Sequence, residues 1–334
     1  MESSSARGVW RWMLIAAIAP IAWGSTYVVT AQLLPPESPL WGSVLRALPA
    51  GLLLLALPAR ETGRRLPRGA WWWRSAVLGV LNVGAFFILI YLAAQLLPSS
   101  LAAMLMATSP AVMMLLAWPL LRERPHVLSL VGAALGFAGV ALMLATGTAA
   151  ANPGGVVASL AAMTMSSVGF VLTKRWGGGV PLLSLTAWQL TAGGLAIAPV
   201  AFLVEGLPPA LTGTELLGFA YVTLVATAIA YVAWFSALRH LGAGAVGLMG
   251  LLNPVTGVAL GAAIAGEAFT PLQLLGMALV LLGITLGQPF ARRLVAHISI
   301  GWPFARHSRI PPSTVEATSP EAASSSAAAR ARAF

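Results

Sequence analysis

The chain has 334 residues, of which 58% are apolar and only 8% are charged. A soluble domain needs more charged surface than this, so the composition predicts a polytopic helical membrane protein. The formal charge of +10 would suggest a nucleic-acid partner in a soluble protein. Basic loops set orientation in a membrane, however, so we expect a lipid bilayer and no nucleic acid.

Apolar runs of about 20 residues, each able to cross a hydrocarbon core of about 30 Å as a helix, recur along the chain. The first run is too long for a secretory signal and has no convincing cleavage site, so we expect it to be retained. After residue 290 the composition shifts to Ser, Ala, Arg and Pro, which is typical of a solvated tail. We predict ten spans, at about 11–33, 39–58, 71–96, 99–121, 127–146, 154–174, 181–204, 214–238, 243–265 and 271–289.

The basic residues predict the orientation of these spans. Of 19 Lys and Arg residues, Arg46 alone lies well inside a predicted span, and the other 18 occupy alternate connections, the span ends beside them, and the tail. This distribution follows the positive-inside rule, and it places both termini in the cytoplasm of an inner (plasma) membrane protein. Both termini on one side require an even number of spans, which ten satisfies.

The second half of the chain repeats the first half at an offset of 144 positions. Five spans per unit is an odd number, so the second unit is inverted in the membrane, as in alternating-access transporters with a midplane site. We predict an all-α protein with one repeat in 1–150, an inverted repeat in 151–290 and a cytoplasmic tail in 291–334. The matched positions are Ser109-Pro110 with Asn253-Pro254, Glu123 with Glu267, Gly132 with Gly276, and Gly139 with Gly283.

These motifs, together with Ala22-Trp23-Gly24-Ser25-Thr26-Tyr27 and Arg46, resemble the ten-helix EamA-type carriers of the drug/metabolite transporter superfamily. The resemblance covers about residues 11–290. It implies transport of small metabolites, commonly the export of amino acids or related compounds, through a central cavity. It also lends weight to Trp23 and Tyr27 as cavity residues.

The two repeated prolines are candidate site elements because they remove hydrogen bonds from a helix. Pro110 and Pro254 have no N–H, so the carbonyls of Met106 and Gly250 are expected to lose their helical partners. Such groups are tolerated at membrane depth where they face protein or a wet cavity. The kinks either line the site, offering carbonyls to a substrate ammonium, or only shape the packing.

Charged residues within or beside the spans are few. Arg46 could attract a substrate carboxylate, but an arginine that holds the outer gate together is the interpretation we favour. Glu123 and Glu267 end their spans at opposite faces, so we expect them to cap helices or pair between helices.

Uncharged polar and aromatic residues at depth complete the predicted site. Asn82 and Gln189 carry the most weight, because a buried side-chain amide needs hydrogen-bond partners. We predict helix kinks at Pro110 and Pro254. The predicted substrate-binding residues are Trp23, Tyr27, Arg46, Asn82, Phe86, Met106, Ser109, Ser166, Gln189, Tyr231, Gly250 and Asn253.

Other classes of protein fit the sequence less well than a carrier. The chain has no cysteine or aspartate, no HExxH and no usable GxSxG, so we expect no catalytic residues, metal or cofactor. A channel would need rings of like charge or filter motifs. We predict a monomeric exporter of small metabolites, most favourably amino acids. The alternative is a multidrug or organic-cation exporter, which would be expected to carry a midplane carboxylate.

The predicted topology can be tested by cysteine labelling, because the chain has no cysteine of its own. A cysteine placed at Thr148, between the two repeats, should react with a membrane-impermeant maleimide added outside the cell. Reaction from the cytoplasmic side alone would contradict the inverted repeat.

Overall fold

A computed structural model describes residues 2–35, 37–57, 66–96, 105–144, 152–265, 270–289 and 291. Helices account for nearly all of these residues, and none of them forms a strand. The helices belong to one unit, Met1–Leu294, and the second unit, Val295–Phe334, lies outside the described residues. The helices are α1 (Glu2–Leu33), α2 (Pro39–Ala56), α3 (Trp71–Gly79), α4 (Ala85–Leu96), α5 (Ser109–Leu121), α6 (Val127–Leu144), α7 (Pro153–Trp176), α8 (Leu182–Glu205), α9 (Gly213–Thr223), α10 (Ala230–His240), α11 (Ala243–Met249), α12 (Leu252–Ala265) and α13 (Pro271–Gly287).

Six segments of the described chain are long and apolar enough to cross a membrane. Three further apolar helices are shorter, and the helix α5 of 13 residues is an example. At the helical rise α5 is only about 20 Å long, less than a hydrocarbon core of about 30 Å. The count of ten spans therefore stays a prediction. The six long segments are Gly8–Thr30, Pro39–Ala56, Trp71–Ile90, Pro153–Gly179, Leu182–Glu205 and Gly213–His240.

Two of the predicted spans are broken rather than kinked. The fourth predicted span is interrupted at residues 107–108 and the ninth at residues 250–251. Pro110 and Pro254 then stand in the first turns of the new helices α5 and α12. Proline is tolerated at such a position because the first N–H groups of a helix have no intrahelical acceptor.

The break also changes the prediction for the Gly250 carbonyl. We expected this carbonyl to be left without a donor, but it accepts a hydrogen bond from the backbone N–H of Asn253 at 3.0 Å. A tight turn of the 3₁₀ type supplies a donor that the α-helix could not. Gly250 is therefore not the free acceptor that the sequence suggested.

The packing between segments follows the pattern expected of the predicted repeat. Several segments of the first repeat contact the corresponding segment of the second repeat. These pairs are α2 with α8, α6 with α13, and α5 with α11. α1 packs on α10 and α12, and its counterpart α7 packs on α4 and α5. Both third segments of the repeats contain a π-helical turn, Val80–Gly84 and Leu224–Ile229, and Leu224 follows Val80 by the offset of 144 found in the sequence.

α6 and α13 approach so closely that their facing positions have room for glycine alone. A β-carbon added at Gly139 would lie 2.5 Å from the Gly276 carbonyl oxygen, and one at Gly132 would collide with the Gly283 carbonyl. Small residues allow such backbone contact between membrane helices, where dispersion replaces the hydrophobic effect as the driving force. The four glycines matched in the sequence thus face each other across one interface.

This interface gives a stability prediction. Gly139→Ala should lower the free energy of unfolding by about 1–3 kcal/mol, because the added methyl forces α6 away from α13. Gly213→Ala is the control, since a β-carbon there would meet nothing within 4 Å. Thermal unfolding in detergent micelles compares the two variants, and equal midpoints would contradict the close contact.

Candidate functional site

Three polar side chains from three segments bond to each other in the interior. Asn82 lies in the first π-helical turn, Thr173 in α7 and Gln189 in α8, and all three are buried. The Asn82 amide donates to the Gln189 side-chain oxygen at 2.7 Å and to the Thr173 hydroxyl at 3.2 Å. The Thr173 hydroxyl lies 3.1 Å from that Gln189 oxygen, and the Gln189 amide donates to the Leu185 carbonyl at 3.2 Å. The sequence-based weight on Asn82 and Gln189 agrees with this network.

Glycine makes room for the network. A β-carbon at position 169 would collide with the Asn82 side-chain oxygen, so Gly169 allows the amide to lie against α7. The Asn82 oxygen is buried and has no hydrogen-bond partner among the described residues. An unpaired buried acceptor costs about 1–3 kcal/mol, and such groups concentrate where a protein has a function to perform.

Each π-helical turn presents a backbone carbonyl to an aromatic donor. The Ala230 N–H bonds to the Val225 and Thr227 carbonyls, so the Ala226 carbonyl loses its α-helical donor. The Trp23 indole N–H takes this place at 3.1 Å. In the other turn the Tyr231 hydroxyl donates to the Asn82 carbonyl at 2.7 Å. The π-helical turns thus supply the acceptor groups that the sequence had assigned to the proline kinks.

Five aromatic rings pack together beside these bonds. The Trp23 ring centroid lies 5.3 Å from Trp234, 5.6 Å from Tyr231 and 6.4 Å from Phe170. Phe235 joins through Phe170 at 6.0 Å and Tyr231 at 5.6 Å. Tilted and edge-to-face rings at these separations stabilise each other beyond their buried area. The cluster joins α1, α7 and α10.

Arg46 lies on α2 with its guanidinium over an aromatic ring. Its guanidinium carbon is 4.5 Å from the Phe87 ring centroid, and its Nε donates to the Thr227 hydroxyl at 3.1 Å. The side chain is half-buried, and no carboxylate of the described residues lies within 4.0 Å of it. A cation held by a ring and a hydroxyl keeps its charge available to an anion.

α1 and α12 meet at the break beside Asn253. A β-carbon at Gly24 would lie 2.6 Å from the Asn253 carbonyl oxygen. The next residue, Ser25, shares a hydrogen bond of 2.5 Å with the Tyr221 hydroxyl. Both Asn253 and Ser25 are half-buried, so the polar groups continue along α1 beyond the aromatic cluster.

The other predicted site residues are placed less centrally. Phe86 packs on Phe87 at 5.7 Å, and the buried Ser166 hydroxyl donates to the Met163 carbonyl of its own helix at 3.0 Å. Met106 and Ser109 are half-buried beside the break before α5. The Tyr27 side chain lies outside the described residues.

Several residues outside the predicted set join the site through ring contacts or hydrogen bonds, namely Phe87, Phe170, Thr173, Thr227, Trp234 and Phe235. No periodic pattern in the surrounding sequence separates them from residues that face lipid. At the offset of 144, Asn82 corresponds to Ala226, the residue beside Thr227, so the repeat would have pointed to this turn but not to Thr227 itself.

Glu123 acts as the sequence predicted, capping one helix and pairing with another segment. One carboxylate oxygen lies 2.6 Å from the Lys174 ammonium, and the other accepts from the Ala243 N–H at 2.7 Å. Glu267, its partner in the repeat, lies outside the described residues. The described residues include no group of three side chains suited to binding a metal ion.

Several long apolar helices, enclosing side chains that hydrogen-bond to each other, define a multi-pass membrane protein with a polar interior. This is the architecture of a membrane transporter. The chain belongs to the EamA-like transporter family, which matches residues 10–145 and again 153–286. The resemblance stated from the sequence is thereby confirmed, and the family acts on small-molecule substrates across a membrane.

Individual relatives are similar over most of their length. Protein PecM of Dickeya dadantii is 38% identical over 284 residues, covering 83% of this chain and 93% of that protein. The uncharacterized inner membrane transporter YedA of Escherichia coli is 27% identical, covering 80% and 87%. A probable terminal-alkyne amino-acid exporter of Streptantibioticus cattleyicolor is 26% identical, covering 73% and 82%. A protein of known crystal structure shares the fold, with a TM-score of 0.70 at 20% identity over 85% of this chain and 98% of that chain.

The buried hydroxyl of Tyr231 gives a prediction. Tyr231→Phe keeps the ring packing but removes the donor to the Asn82 carbonyl, so the free energy of unfolding should fall by about 1–3 kcal/mol. Tyr221→Phe is the matched control and should cost less, because Tyr221 is half-buried and water can replace its bond. Circular dichroism during heating measures the unfolding midpoints of both variants. An unchanged midpoint for Tyr231→Phe would show that this hydrogen bond does not stabilise the site.

Proposed function

We propose that this protein exports small neutral amino acids or similar zwitterions by alternating access between its two repeats. The observation that carries the proposal is the chemistry of the interior. Its described polar side chains are uncharged amides and hydroxyls, and a single cation, Arg46, lies beside them. A zwitterion brings no net charge, so these groups can bind it without burying an unpaired ion.

The packing supports alternating access as the mechanism. When each of the first five segments is replaced by its counterpart among the last five, the same pairs of segments remain in contact. Two equivalent halves can form inward-open and outward-open arrangements of similar energy, with the site between them. The proposal places the repeats in 1–150 and 151–290, followed by the tail of 291–334. It also places both termini in the cytoplasm of the inner membrane.

Arg46 is proposed to attract the substrate carboxylate. The half-buried guanidinium keeps its charge over the Phe87 ring and has no described carboxylate as partner. A guanidinium can bind both oxygens of a carboxylate at once, which gives geometric selection as well as energy. This role differs from the gate role that the sequence favoured, and the reason is the hydroxyl and ring contact of Arg46.

The ammonium group is proposed to lie among the aromatic rings and the polar network. Trp23 and Tyr231 provide ring faces, and Asn82 and Gln189 provide amide oxygens nearby. The remaining predicted binding residues, including Asn253 and Ser109 beside the helix breaks, would line the path. One relative is named as a probable exporter of a terminal-alkyne amino acid, which agrees with this substrate class.

The aromatic cluster also favours a second candidate, an exporter of organic cations. Cations bind ring faces with about 0.5–2 kcal/mol each, without needing a carboxylate. The two candidates differ in what the cation Arg46 would do. It would help a zwitterion and repel a simple organic cation.

Transport by purified protein tests the proposal. Proteoliposomes should take up L-alanine and other neutral amino acids down their gradients with no imposed pH difference. Arg46→Ala should raise the KM for L-alanine about tenfold, the equivalent of one charge-assisted hydrogen bond. It should not raise the KM for alaninamide, which lacks the carboxylate and carries a net positive charge that Arg46 repels.

Arg46→Lys is the control for charge, and it should retain part of the affinity. Equal losses for L-alanine and alaninamide in Arg46→Ala would assign Arg46 to the gate. Movement of organic cations alone, and only with a proton gradient, would replace the amino-acid proposal by the second candidate.

A further inference from the structure

One ion pair ties together three segments at the end of the bundle that carries most of the basic residues, which we call the basic end. Glu123 follows α5, Lys174 lies in the last turn of α7, and Ala243 begins α11. Besides its contact with Glu123, the Lys174 ammonium donates to the Leu241 carbonyl at 2.5 Å. Opening this end must separate these segments, so the Glu123–Lys174 pair acts as a latch.

The latch has no charged counterpart in the other repeat. Glu123 corresponds to Glu267, but Lys174 corresponds to Thr30 at the offset of 144, or to Gln32 at the offset that aligns Trp23 with Met165. Neither residue is basic. The repeat thus places no basic residue at the position that would pair with Glu267, and breaking the Glu123–Lys174 pair costs free energy in the arrangement that opens the basic end.

A pocket adjoins the latch. It has a volume of about 260 Å³, and the Glu123 carboxylate and Arg124 both line it. The Glu123 side chain is 31% exposed although it is paired, so a ligand in the pocket can reach it. Arg124 is exposed and has no ion-pair partner among the described residues. His126, Ser129, Gly242 and Gly244 also line the pocket.

The pocket walls therefore carry one carboxylate and one guanidinium, which is the complement of a zwitterion. We infer that this pocket is a loading site, where a small amino acid binds before it reaches the interior. Its ammonium competes with Lys174 for Glu123, and its carboxylate binds Arg124. Loading thus releases the latch. This inference rests on the proposed function, since it takes the same class of substrate.

Spin labels can measure the release directly. The chain has no cysteine, so Val127→Cys and Gly178→Cys place a label pair across the basic end. Val127 is 71% exposed, and a β-carbon at Gly178 meets nothing within 4 Å. Double electron–electron resonance then reports the separation of the two labels in lipid nanodiscs.

We expect saturating L-alanine to add a population at longer distance in the parent protein. Lys174→Gln should show that population without L-alanine, whereas Arg175→Gln, an exposed neighbour, should match the parent. A Lys174→Gln distribution identical to the parent would overturn the latch. No response of the parent to L-alanine, in a preparation that transports it, would overturn the loading site.

Sided transport tests the pocket without touching the ion pair. In proteoliposomes of sorted orientation, Arg124→Gln should raise the KM for L-alanine about tenfold from the basic end and leave it unchanged from the other end. Arg122→Gln is the matched control, because Arg122 is exposed but does not line the pocket.

The outcomes separate this inference from the proposed function. If the parent transports L-alanine and the two arginine variants have equal KM values, the loading site is wrong and the proposed function stands. If neither the parent nor any variant transports L-alanine, both the proposed function and the loading site are wrong. The label distances of Lys174→Gln then test the latch by themselves.

Discussion

Inside a bilayer a backbone or side-chain amide has no water to bond with, and this constraint shapes the centre of the protein more than any single contact. Each unsatisfied group there costs several kcal/mol, so helices, breaks and side chains must satisfy each other. Asn82 shows most of the result, because its side-chain N–H groups donate to Gln189 and Thr173 and its carbonyl accepts from Tyr231, while its side-chain oxygen has no partner among the described residues. The site lies where the regular helices leave backbone and side-chain groups without a helical hydrogen-bond partner.

The same constraint explains why the π-helical turns matter. A wider turn shifts donors along the helix, so the Ala226 carbonyl is left for a side-chain donor, Trp23. The proline breaks create less surplus than expected, since the turn before Pro254 closes on itself through the Gly250–Asn253 bond. In each repeat a backbone carbonyl of the third segment therefore accepts an aromatic donor, whereas the Gly250 carbonyl is taken by Asn253.

The two halves are equivalent in architecture but not in charge. Glycine pairs such as Gly139 and Gly276 hold the repeats together by backbone contact, which is symmetric by construction. The Glu123–Lys174 pair has no such symmetry, because the second member is basic in one repeat only. A transporter built from equal halves can acquire a preferred resting arrangement through one such substitution, since it changes the free energy of one end alone.

The sequence by itself determined the class of protein and the repeat with its offset, and it singled out Asn82, Gln189 and Glu123 as polar groups that need partners. Apolar run lengths, loop charges and repeated Pro, Glu and Gly are properties of the chain read in one dimension. Only the tertiary structure decided that Trp23, Phe170, Tyr231 and Trp234 form one cluster, and that the π-helical turns accept the aromatic donors. In a chain this apolar, aromatic residues that face the interior and those that face lipid look alike. The difference is set by which surfaces of the helices pack together and by where a hydrogen bond shifts by one residue.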